Sequence, residues 1–258
     1  KSVYRVAVKT RAGEQFDLAI NLNHRLSESQ IDEEIDWLIV CAEPRGSGAL
    51  VENFGGFWES PGLWTEEFIP GDTLDRALIR LSRRPLDEER YKTVWPHAAW
   101  SGLARYVDFW NRTGRRLIVA NPTPEKVIIP MHDYQTGARL VSIASRRPFT
   151  SIVSMLQSFQ DQFVARVERD HPRLAGLVGW DVILSAVLEI LGEQEGCALL
   201  RGILTAPDAH QTEQFRMAVE SYLNSVERRG FLPRRLFFAA QRFRRWLRIN
   251  PNATLHAQ

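Results

Sequence analysis

The sequence predicts an α+β fold in two lobes, a small antiparallel sheet with one helix followed by a mainly helical region. Three observations lead there. Two alternating, β-branched segments, 3–9 and 16–22, flank a short polar turn at 11–14. Strand-like and helix-like segments then follow without regular alternation, which argues against a doubly wound sheet. Beyond Thr150 no segment reads as a strand. The lobes are assigned to residues 1–72 and 73–258, joined near 69–73.

The elements follow in order. Residues 27–40 read as a helix, with Ser27 or Ser29 as cap and Ile31, Ile35 and Leu38 at helical spacing. Residues 49–58 and 62–69 read as strands around a turn near 59–61. Asp72 or Thr73 is placed to cap a helix over 74–81. The stretch 82–96 is polar and broken by Pro85 and Pro96, so the next helix is predicted only from His97 to Thr113. Short apolar runs at 117–119 and 127–129 surround Asn121–Glu125. A turn at 133–137 leads to a return strand over 138–144. Helices are expected at 150–169, 180–193, 208–229 and 234–248.

Composition narrows the class. With 258 residues, 44% hydrophobic and 25% charged, the chain is too apolar for disorder and too charged for a membrane bundle. A net charge of +2 does not suggest a strongly basic nucleic-acid module. Four of the 33 basic residues are Lys, so 29 are Arg. Cys41 and Cys197 form no CxxC pair, and free thiols in a reducing, cytoplasmic setting are expected. No window of 18 apolar residues free of charge occurs, so no transmembrane segment is expected. The first residue, Lys1, suggests a processed chain or a piece of a longer polypeptide.

The segment Leu63-Trp64-Thr65-Glu66-Glu67-Phe68-Ile69-Pro70-Gly71-Asp72-Thr73-Leu74 resembles the fifth strand and hinge of the protein-kinase-like superfamily, which includes small-molecule kinases. Residues 4–9 and 16–21 look like its second and third strands, 29–40 like the helix of its first lobe, and 97–113 like the long helix before its catalytic loop. The resemblance covers roughly residues 4–149. It implies a kinase-like two-lobed fold, and it also implies which positions to inspect.

At those positions the expected chemistry is missing. The third strand should carry a Lys that grips phosphates, and the matching position holds Asn21, which has no charge. Its helix partner would be Glu34, or Glu33, left without that cation. The stretch 118–127 resembles the catalytic loop, with Asn121 at the base and Lys126 at the metal-binding Asn. An amide cannot take the substrate proton, and an ammonium opposes Mg²⁺. Residues 140–145 resemble the strand leading to the metal-binding Asp, where Ala144 stands, or Ser142 in a shifted alignment. A larger shift would leave Asp133 as a ligand. No glycine-rich nucleotide loop matches, and Gly46, Gly48, Gly55 and Gly56 lack phosphate-loop spacing.

Other residues add surfaces more than chemistry. Glu66, Glu67 and Asp72 would line the cleft or hinge. The six His lack paired ligand spacing, so neither a metal nor a cofactor is expected. Trp58 and Trp64 flank a strand turn, where they are available for contact. Between 228 and 248 there are eight Arg, no Lys and no acid, interleaved with five aromatics. There Arg234, Arg235, Arg242, Arg244, Arg245 and Arg248 are candidates for contact with an anionic surface or nucleic acid.

The resulting expectation is a noncatalytic, pseudokinase-like scaffold or regulatory domain with a protein partner or larger assembly. The alternatives are an atypical ATP-dependent phosphotransferase, and nucleic-acid or membrane-surface binding through the Arg-rich terminus.

Overall fold

The computed structural model describes residues 2–9, 11–22, 27–42, 54–57, 63–68, 71–83, 88–129, 138–140, 146–205, 212–230 and 237. Strands β1 (Ser2–Lys9) and β2 (Gln15–Leu22) form the expected hairpin, pairing antiparallel from Ser2 opposite Leu22 to Lys9 opposite Gln15. Helix α1 (Glu28–Ala42) follows. Gln30 caps its start from inside: the Gln30 side-chain oxygen accepts from the Ser27 amide at 2.9 Å. Strands β3 (Phe54–Phe57) and β4 (Leu63–Glu67) complete a four-stranded sheet in the order β1-β2-β4-β3. The predicted strand over 49–58 survives as these four residues, its ends lying outside the described residues. Gly55 is the extra residue between Phe54, opposite Glu66, and Gly56, opposite Thr65, and the β3–β4 register shifts there as at a bulge.

The chain then crosses to a second region through β5 (Asp72–Thr73), which pairs with β7 (Val127–Ile129); β7 also pairs with β8 (Arg139–Leu140). Gly71 permits this approach. A Cβ there would lie 3.0 Å from the Ile129 carbonyl oxygen and 3.0 Å from the Ile128 side chain. Helix α2 (Leu74–Ser82) starts as predicted, but Thr73 at its N-cap position makes no capping side-chain bond.

Helix α3 (Glu88–Arg112) corrects the prediction at this point. It begins nine residues before His97 and runs through Pro96. Proline removes one helical amide and crowds the preceding turn. Every residue from 94 to 110 is buried, and that packing carries the helix across the break. Trp95 stacks on Phe163, centroids 6.1 Å apart, and Tyr106 meets Phe159 edge-on.

After β6 (Leu117–Val119) and β7, strand β9 (Arg146–Pro148) pairs with β6, a strand the sequence reading did not anticipate. The rest is helical: α4 (Ile152–Phe159), a π-helical turn Gln160–Val164, α5 (Ala165–Asp170), α6 (Trp180–Leu191), α7 (Glu193–Thr205) and α8 (Glu213–Arg229). Helix α7 was not predicted as an element, because Gly196 and Gly202 lower its helix propensity. Gly196 is there for packing: a Cβ would sit 2.9 Å from the Leu188 side chain of α6. The main core lies between α3, α4, α6, α7 and α8, and Cys41 reaches it from α1.

Candidate functional site

The residues matched to a catalytic loop lie between β6 and β7, and the end of α3 sets their position. Thr113 staples the turn: its hydroxyl donates to the Trp110 carbonyl at 2.8 Å and accepts from the Leu117 amide at 3.1 Å. Arg115 takes a left-handed backbone, φ 65, and its amide donates to the Trp110 carbonyl at 2.9 Å. Its guanidinium lies 5.2 Å over the Trp110 ring and pairs with Glu195 of α7. The chain therefore enters β6 in one direction.

Asn121 is exposed beyond β6, while Pro122 and Pro124 are buried and anchor the loop on both sides. A 3-10 turn, Pro124–Lys126, closes it: the Lys126 amide donates to the Thr123 carbonyl at 3.0 Å. Lys126 is half-buried. Burial pulls its ammonium pKa below the ordinary Lys value, and the Glu125 carboxylate acts against that shift. Glu125 pairs with Arg166 of α5. Behind the loop, burial pushes the Tyr106 phenol far up. Tyr106, Leu103, Val119, Pro122, Ser158 and Phe159 border a cavity of about 10 Å³, room for no more than one water.

Asp72 lies beside this turn, since its strand pairs with β7 opposite Ile129. Its carboxylate is taken by Arg80 of α2 at 2.7 Å. Asn21 stands in β2 opposite Val3 and Trp64. Glu66 of β4 stands opposite Ala19, and Glu67 opposite Leu18. The side chains of Asn21, Glu34, Trp64, Glu66 and Glu67 lie outside the described residues, as do Ala144, Asp133, Trp58, Arg234, Arg235, Arg242, Arg244, Arg245 and Arg248.

One ion pair was not foreseen. The helix carboxylates were expected to lack a lysine from the third strand, and Glu33 of α1 pairs instead with Arg146 of β9 at 3.3 Å. The cation comes from a strand 113 residues further along the chain. The Arg146 side chain is 11% exposed and that of Glu33 59%, so the pair is held from the β9 side.

Sequence reading also missed a polar line through the centre of α3. His97, Ser101, Arg105, Asp108 and Arg112 recur at 4-4-3-4 spacing, which puts them on one helix face. His97, Ser101, Arg105 and Asp108 are buried, and so is the side chain of Arg112. Arg105 donates from Nε to the Ala138 carbonyl at 2.9 Å, tying α3 to the start of β8. Desolvation brings its pKa down to about 10, with Arg139 adding to the shift and Asp108 opposing it. Asp108 pairs with Arg112 at 3.0 Å, both side chains under a tenth exposed. The spacing was the available signal, and it lay wholly within the helix predicted from His97 to Thr113.

Among the described residues no three His, Cys, Asp or Glu side chains gather as metal ligands, and no helix is long and apolar enough to cross a membrane. No model of a known protein family matches the sequence, and no curated protein matches it.

Proposed function

We propose that the protein is a noncatalytic, pseudokinase-like scaffold or regulatory domain that acts by binding a protein partner. The observation that carries this reading is the loop from Asn121 to Lys126. It follows a long buried helix and lies between two short strands, and it offers an exposed amide and a half-buried ammonium. An amide does not accept the proton of an attacking hydroxyl. An ammonium stands at the metal-binding position, and the Glu125 carboxylate beside it is already paired with Arg166, which disfavours Mg²⁺ there. The element order before this loop is consistent with the same reading: a hairpin, one helix, two strands and a short connector.

The Glu33–Arg146 pair lends further support. It ties α1 to β9 through an arginine, where the kinase-like pattern would use a phosphate-gripping lysine from β2. The test is a thermal-shift titration of the full chain with ATP, with and without Mg²⁺ or Mn²⁺. No metal-dependent rise in Tm is expected. A metal-dependent rise, together with phosphate transfer to any acceptor, would replace this reading with that of an atypical phosphotransferase.

A further inference from the structure

Helices α1 and α2 each bury one face and expose the other. Ile31, Ile35 and Cys41 are buried on α1, and Leu74, Ala77, Leu78 and Leu81 on α2. Opposite them, α1 exposes Asp32, Glu33, Asp36 and Ile39, a row at helical spacing. Helix α2 exposes Arg76, Ile79 and Arg80, and the row continues at Arg83 just past its end. Glu33 is taken by Arg146, and Arg80 by Asp72. Asp32, Asp36, Arg76 and Arg83 have no ion-pair partner among the described residues. That leaves two unpaired acids on one face and two unpaired bases on the other. Four large apolar side chains are exposed among the described residues, and two of them sit in these rows: Ile39 is 53% exposed and Ile79 41%.

We propose that these two faces are each other's partners, so that α1 of one copy of this chain docks on α2 of a second copy. Charge complementarity selects that occupant, because each face carries the sign that the other lacks. The spacing agrees. Asp36 lies three positions before Ile39, while Arg76 lies three before Ile79 and Arg83 four after it. With Ile39 set against Ile79, a parallel crossing brings Asp36 beside Arg76, and an antiparallel crossing brings it beside Arg83. The two isoleucines supply the apolar part of the contact, and the charges around them fix which face meets which. An acidic segment of an unrelated protein would match α2 alone and leave the acids of α1 without a mate. Two short helix faces bury little area, so the association is weak and shows at high protein concentration. The contact uses no residue of the loop at Asn121–Lys126 and does not depend on the noncatalytic reading of it.

The experiment is sedimentation velocity of the full chain from about 10 to 500 μM protein, at about 20 and 300 mM salt. The sedimentation coefficient should rise with concentration at low salt and lose most of that rise at high salt, where exposed charges are screened. Two charge reversals make the test specific. Asp32→Arg with Asp36→Arg should sediment as a monomer throughout, and so should Arg76→Glu with Arg83→Glu. An equimolar mixture of the two should associate again. In it the acidic α1 of the second variant meets the basic α2 of the first, and the reversed faces match as well. Restoration on mixing is a result that misfolded variants do not give. Ile79→Ser should weaken association about fivefold and leave its salt dependence in place. A parent chain that stays monomeric at the highest concentration in low salt would overturn the proposal. So would association that either reversal leaves intact, or a loss that mixing does not restore.

Discussion

The four-stranded sheet and the α3-centred region are built on different physics. The sheet is held by its ladders. Its first two strands pair over eight positions, yet the described side chains of β1 are exposed or half-exposed, and those of β2 half-exposed or more. The second region is held by packing: Trp95, Phe109, Trp110, Phe159, Phe163 and Phe215 are all essentially inaccessible. A buried aromatic contributes far more than a half-exposed aliphatic, because apolar area removed from water sets the gain. The centre of α3 is therefore the part that decides whether the molecule folds. The sheet is the part that opens at least cost.

Mutations ordered by size can break or sharpen that contrast. Trp95→Ala removes a fully buried ring stacked on Phe163 and should cost about 4 kcal/mol in urea unfolding. Gly71→Ala forces a methyl against the Ile129 carbonyl and should cost about 2 kcal/mol, felt first as faster amide exchange across β5 and β7. Ile20→Ala in β2 deletes a half-buried side chain and should cost about 1 kcal/mol, the same chemistry as a core truncation with much of the area missing. A loss as large as that of Trp95→Ala would mean the sheet is no less committed than α3. Glu33→Gln should cost under about 0.5 kcal/mol, since Glu33 is mostly exposed, while speeding amide exchange in α1.

The smallest expected effect is a pH dependence at His171, which meets Tyr91 edge-on. Burial pulls its pKa below the ordinary His value, with Asp170 opposing. The folded state therefore holds the ring neutral while the unfolded chain takes up a proton first. Stability from this site is present above about pH 6.5 and is lost as pH falls through that value. The loss stops once pH is below the folded-state pKa as well. Comparing unfolding midpoints of the parent and His171→Gln from neutral to mildly acidic pH isolates it. A difference that grows toward high pH would reverse the sign assigned here.

Legibility in the sequence followed the source of stability. The β1–β2 hairpin and α1 were readable because local alternation and helical spacing specify them. The amino-terminal half of α3 was not. Pro96 is a local stop signal, and only contacts with distant residues such as Phe163 override it. Helix α7 was missed for the same reason, since Gly196 is explained by Leu188 of the preceding helix and by nothing beside it. At the candidate site, the identities of Asn121 and Lys126 were plain, but the pairing of Glu33 with Arg146 was not. Residues 113 apart leave no spacing to read.

Strand β1 has one further consequence. Among the described residues its only neighbour is β2, so alternate residues along its length turn their backbone amides and carbonyls outward at the sheet margin. Such a margin is a template on which another chain can polymerise. Arg5, which pairs with Asp17 of β2, and Lys9 stand exposed on this strand, and charged side chains on an edge disfavour its pairing with a second chain. Two residues that do little for folding thus work against edge-to-edge association. Exchanging both for Val would trade colloidal solubility for a sticky seam, and light scattering would rise with concentration while the folded core stayed as it is.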